Sequence, residues 1–131
     1  MSKQWIIFVG ENHNEALALK IIFFDYEVKF VHTLRECDIL IHNTGIQEPL
    51  IILEYERLRG AADFIRKLKS RLDARVIAYF PALQDEKHLV EAFNCGVDNV
   101  IKQRILNDRM LMSAVSETLR ISMAETLSVL G

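Results

Sequence analysis

Cysteine, proline and glycine are all scarce in this 131-residue chain, with two, two and five residues respectively. Two cysteines, Cys37 and Cys95, make no disulfide scaffold and fit a reduced, cytoplasmic protein. So few prolines and glycines argue against a disordered linker. Positive charge is not in surplus: 16 Lys and Arg stand against 18 Asp and Glu, a net charge of −2. Nothing therefore advertises direct nucleic-acid binding by this chain. No apolar run approaches membrane-spanning length. The run from Trp5 to Val9 is too short for a signal peptide and lacks a cleavage site. There is no internal repeat and no low-complexity tract. What is present is ordinary for a globular domain with a real core: 50% hydrophobic and 26% charged residues.

The strongest local signal is Pro49-Leu50-Ile51-Ile52-Leu53-Glu54. Four unbroken apolar residues bounded by proline and an acid read as a strand buried on both faces. An acid at the carboxyl end of such a strand lies where open α/β sheets place their ligand sites. The rest of the chain alternates around it. Trp5–Val9 reads as a first strand, and Asn12 with Glu15 as a capping box opening a helix. Leu17, Ile21 and Phe24 form the apolar stripe of that helix. Val28 and Phe30 mark a second, more exposed strand. Thr33 and Glu36 form another capping box, before a helix that stops at Gly45.

Ala61, Phe64, Leu68 and Leu72 predict a third helix, and Arg75–Phe80 a fourth strand stopped by Pro81. Asp85–Asn94 predicts a fourth helix with Leu89 and Phe93 inward. A short fifth strand spans 97–102, and a last helix carries Leu111, Val115 and Leu119. The sum is (βα)5, an α/β fold with a doubly wound parallel sheet of flavodoxin-like order 2-1-3-4-5.

The strand ends carry a resemblance. Over residues 4 to about 121 the chain resembles the receiver domain of bacterial response regulators (CheY-like). Val9-Gly10-Glu11 stands at the place of that family's acid pair, and Glu54 at its phosphorylated aspartate, 43 residues on (54 − 11). Pro81-Ala82 stands at the hydroxyl position and Gln103-Arg104 at the Lys-Pro position. Ala92-Phe93-Asn94-Cys95-Gly96-Val97-Asp98-Asn99 is similar to the turn into the last strand.

The departures fall on the chemistry that the resemblance implies. Receiver phosphorylation needs a carboxylate nucleophile, a Mg²⁺ held by acidic oxygens, and groups that hold the phosphoryl. Gly10 supplies no ligand, Pro81 no hydroxyl and Gln103 no charge. Glu54 displaces its carboxylate by a methylene from in-line geometry, and Val100 stands at the aromatic switch position. The expectation is a degenerate pocket with no catalytic residue and no cofactor. Glu11 and Glu54 alone make a poor Mg²⁺ site. Glu54 reads either as a phosphomimic, which needs a matched cation, or as drift. Lys102 or Arg104 are the candidates for that cation, although strand alternation aims Lys102 away. Cys37 and Cys95 are expected to pack, and His13, His32, His42 and His88 to be solvated.

The expected function is a pseudo-receiver in bacterial signal transduction, a phosphorylation-independent module that dimerises or binds an output domain or partner protein. The alternatives are a small-ligand or enzymatic flavodoxin-like domain, which lacks a Gly-rich phosphate loop and a nucleophile–base pair, and a receiver phosphorylated by an unusual route. Residues 1–121 read as the receiver-like domain and 122–131 as a helix extension or linker stub. The resemblance implies a dimer surface built from the fourth helix, fifth strand and fifth helix. Leu111, Val115, Leu119, Met123 and Leu127 keep a four-residue repeat that reads as a homodimer interface.

Overall fold

The computed structural model describes residues 3–11, 13–102 and 109–119. Five parallel strands alternate with helices: β1 (Trp5–Val9), α1 (His13–Ile22), β2 (Glu27–Val31), α2 (Leu34–Thr44), β3 (Leu50–Glu54), α3 (Ala61–Arg71), β4 (Arg75–Tyr79), α4 (Glu86–Asn94) and β5 (Asn99–Ile101). Residues 109–119 are helical and are called α5. The sheet order is β2-β1-β3-β4-β5, as the alternation predicts.

Two core layers follow from the period of two along each strand. Ile7, Val9, Ile51, Leu53, Val76 and Ala78 face α2, α3 and α4. Ile6, Phe8, Leu50, Ile52, Ile77 and Tyr79 face the other way, under α1 and α5. Every residue of β3 is buried, which is why its sequence shows no alternation. The helix punctuation is also as read. Thr33 caps α2 by accepting the Glu36 N–H at 3.0 Å, and the Glu36 carboxylate accepts the His32 N–H at 3.2 Å. Gly45 ends α2 in the left-handed region at φ 68°, donating to the Ile41 carbonyl at 3.0 Å; most other residues would be strained there. Asn12 lies outside the described residues.

Three helix faces differ from expectation. On α1 the buried residues are Ala16, Leu19 and Phe23, whereas Leu17, Ile21 and Phe24 are 58%, 69% and 82% exposed. The helix is apolar on two faces, and the one carrying small Ala16 lies against the sheet. On α4, Ala92 is buried and Phe93 is 57% exposed, while Leu89 packs partly against the core. On α5, Leu111 and Val115 are buried and Leu119 packs partly against the same layer. These three side chains complete the α1/α5 core of the monomer and are not free to line a dimer interface. Complete burial of a Leu or Val is worth about 1.5–3 kcal/mol, and the sheet takes that here. Met123 and Leu127 lie outside the described residues.

Candidate functional site

The sheet brings the ends of β1, β3 and β4 to one edge. Glu54 is the last residue of β3, beside Tyr79 in the register, and is only 4% exposed. A buried carboxylate needs partners. Its Oε1 accepts the Glu11 backbone N–H at 3.2 Å. Its Oε2 lies 3.6 Å from Arg57 Nε, and Arg57 Nη2 lies 2.5 Å from Glu11 Oε2. One guanidinium thus bridges the two acids. Arg57 belongs to the turn that leaves β3, fixed by its own N–H donating to the Glu54 carbonyl at 3.2 Å.

Gly10 is what lets Glu54 lie there. A Cβ added at Gly10 would stand 2.5 Å from Glu54 Cδ and 2.6 Å from Oε1. The missing acid at residue 10 and the extra methylene at residue 54 are therefore one steric fact. The longer side chain folds back over residue 10 and occupies the volume in which a side chain there would project.

These residues do not fit a Mg²⁺ ion. Residue 10 offers no side-chain oxygen, and a fixed positive charge already pairs with both carboxylates. Among the described residues no cluster of three or more His, Cys, Asp or Glu could hold a metal. Pro81 and Ala82 join Glu54, Glu56, Arg57 and Gln84 around a small cleft of about 240 Å³. Neither Pro81 nor Ala82 carries a hydroxyl. Val100 lies in β5, opposite Ala78, half-buried. Gln103 and Arg104 lie outside the described residues. Lys102 lines a different cavity, between β5 and α5. Among the described residues a cation that meets Glu54 is Arg57, which sequence reasoning missed. Its signal was the three-residue spacing from Glu54 within a turn.

The next two residues reach the other way, to α4. The Tyr55 hydroxyl donates to Glu91 Oε1 at 2.5 Å, and its ring packs on Phe80 with centroids 5.4 Å apart. Glu56 accepts the Gln84 N–H at 3.0 Å and the Asp85 N–H at 3.1 Å, and its Oε2 lies 2.7 Å from His88 Nδ1. Burial works to raise the Glu56 carboxyl, but its hydrogen bonds with His88, Gln84 and Asp85 outweigh it and hold the group below its ordinary value. The hydrogen bond to Glu56 raises His88 against a smaller effect of burial, helped by the charges of Glu56, Asp85 and Glu91. His88 is partly exposed, as the sequence suggested, and is also a partner in a cluster, which the sequence did not show. Cys37 and Cys95 are buried and unpaired, and burial pushes the Cys37 thiol up to about 12.

No family model matches the sequence, and no curated protein matches it. Solved structures do match. A CheY-like response regulator receiver domain protein from Methanospirillum hungatei JF-1 superposes with a TM-score of 0.74 at 23% identity, covering 95% of this chain and 99% of that one. A response regulator from Thermotoga maritima gives 0.75 at 15% identity, over 90% and 98%. The signal receiver domain of an HD domain-containing protein from Pseudomonas fluorescens Pf-5 gives 0.76 at 14% identity, over 93% and 98%. The fold is that of response regulator receiver domains, a (βα)5 sheet of order 2-1-3-4-5.

Proposed function

We propose that this chain is a pseudo-receiver, a receiver-fold module of bacterial signal transduction that acts without a phosphorylated state. It works by association, with itself and with an output domain or partner protein, in the cytoplasm. It is not an enzyme and takes no cofactor. The observation that carries this reading is the Glu11–Arg57–Glu54 bridge seated over Gly10.

Phosphoryl transfer to a carboxylate requires the nucleophile oxygen to face an incoming phosphorus in line, with charge neutralised by metal and cation. Here both oxygens of Glu54 face other groups: one accepts a backbone N–H and the other faces a guanidinium. The same pairing speaks against Glu54 as a phosphomimic, because Arg57, beside Glu11, already meets its charge. Glu54→Gln is accordingly expected to leave association unchanged. The deciding experiment is incubation with acetyl phosphate and Mg²⁺, followed by intact mass. The mass stays constant on this reading. A stoichiometric gain of one phosphoryl group, abolished by Glu54→Gln, would overturn it.

A further inference from the structure

Positive charge is unevenly placed in this chain. Residues 57–75 hold seven of the 16 Lys and Arg and two of the 18 Asp and Glu, so this stretch carries +5 (7 − 2) on a molecule of net charge −2. It comprises the turn after β3, then α3 and the entry to β4. Most of its cations already have a carboxylate. Arg57 bridges Glu11 and Glu54. Lys67 pairs with Asp63 at 3.0 Å, and Arg71 with Asp38 at 3.1 Å. Lys69 and Arg75 share Asp98, at 2.7 Å and 3.8 Å. Arg59 and Arg66 are left. Both are exposed, and no carboxylate of the described residues lies at ion-pair distance from either.

Those two arginines line one cavity. Its volume is about 370 Å³, and it lies between the start of α3 and α4. The acids that also line it are engaged. Glu56 is held by His88 and by the Gln84 and Asp85 N–H groups, and Asp63 by Lys67. Glu91 keeps its charge, with the Tyr55 hydroxyl on one oxygen, but two guanidiniums outnumber it. A guanidinium presents a planar fork that takes a carboxylate through two parallel bonds. Arg59 and Arg66 are seven residues apart, about 10 Å along a helical path.

We propose that this cavity is the docking site for an acidic, extended segment of a partner protein, whose carboxylates pair with Arg59 and Arg66. The span between the two arginines matches acids about three residues apart in an extended chain. The inference rests on the partner half of the function proposed above and gives that partner its chemistry. Charge complementarity selects the occupant, since this is where the basic stretch keeps cations without a carboxylate. Exposed charge pairs contribute selectivity and speed of encounter more than affinity. The contact is therefore weak and sensitive to salt.

The test is a titration of the full chain with a fluorescent octapeptide of alternating Glu and Ala, followed by anisotropy and by amide chemical shifts. The same peptide with Gln in place of Glu is the control. The Glu peptide binds with a Kd below about 1 mM at low salt, weakens as salt rises, and shifts the amides of Gly60–Arg66 and His88–Glu91. Arg59→Ala and Arg66→Ala each weaken it at least about threefold, and the double variant about tenfold. Arg71→Ala, on an exposed residue paired with Asp38, leaves it within about twofold. No binding up to about 5 mM overturns the proposal. So does equal binding of the Gln peptide, or a double variant that binds like wild type. An Arg71→Ala loss as large as that of Arg66→Ala also overturns it, by showing diffuse attraction to the basic stretch. Inorganic phosphate that displaces the peptide at matched ionic strength and shifts the same amides assigns the cavity to a small oxyanion and overturns the partner-protein occupant. None of these outcomes bears on the phosphorylation result, which is read separately by mass.

Discussion

Gly10→Ala tests whether residues 10 and 54 are truly coupled. Gly10 is not among the glycines with positive φ, so alanine can adopt its backbone and the cost is steric alone. The new methyl would stand 2.5 Å from Glu54 Cδ, closer than any real contact. Two responses compete. Compressing a packed site costs about 1–3 kcal/mol. Evicting the Glu54 carboxylate toward solvent forfeits the Glu11 N–H bond and the Arg57 pairing. The Arg57–Glu11 half of that bridge is exposed and worth little, so eviction costs about 1–2 kcal/mol. Eviction is the cheaper route and sets the magnitude. For a domain of this size that is a fall of roughly 4–8 °C in Tm. In a Glu54→Ala background the methyl meets no carboxylate, and Gly10→Ala should cost less than about 0.5 kcal/mol. Urea unfolding of the four proteins closes the cycle. An equal cost of Gly10→Ala in both backgrounds would refute the coupling and, with it, the account of why residue 10 is glycine.

Two further outcomes follow from the core and from the α4 cluster. Leu111→Ala should lower stability by about 2–5 kcal/mol independently of protein concentration, since Leu111 is core; a loss that vanishes at high concentration would return it to an interface. His88 has a raised pKa in the fold, so its contribution is complete below its ordinary value of 6.5 and is lost as pH rises through the raised value. Glu56 is lowered, so its contribution is present above its ordinary 4.5 and is lost as pH falls through the lowered value. The Tm advantage of wild type over His88→Ala should therefore be largest just below pH 6.5 and shrink toward alkaline pH, and a flat difference across that range would contradict the clasp.

The strands were legible in the sequence because burial on both faces leaves an unbroken apolar run, as in Leu50–Leu53, and because parallel wiring admits few alternatives. The capped ends were legible because Thr33 and Gly45 act through local chemistry. The facing of helices was not. The segment from Ala16 to Phe24 is apolar on two sides, and periodicity cannot say which side meets the sheet. Leu111 and Val115 gave the converse error, a repeat that looked like surplus surface and was core. At the site, sequence order placed Glu54, Gly10 and Pro81 together at one edge. It could not show that Glu54 folds back, because that depends on the volume over Gly10. Arg57 stayed hidden because the search for a cation went to the residues after β5, Lys102 and Arg104, and passed over the turn that follows Glu54.

Arg57 and Glu54 belong to a single turn, joined by three peptide bonds. A counter-charge carried in that way is delivered at synthesis and cannot be withdrawn. It does not depend on free magnesium, on a kinase, or on a phosphatase that would reset it. Conventional signalling domains encode information in the fraction of molecules modified at a given moment. On the function proposed here, a domain whose neutralising charge is a side chain of its own turn has no such fraction to vary. Its message is then carried by copy number, so control over it passes from post-translational chemistry to the rates at which it is made and degraded.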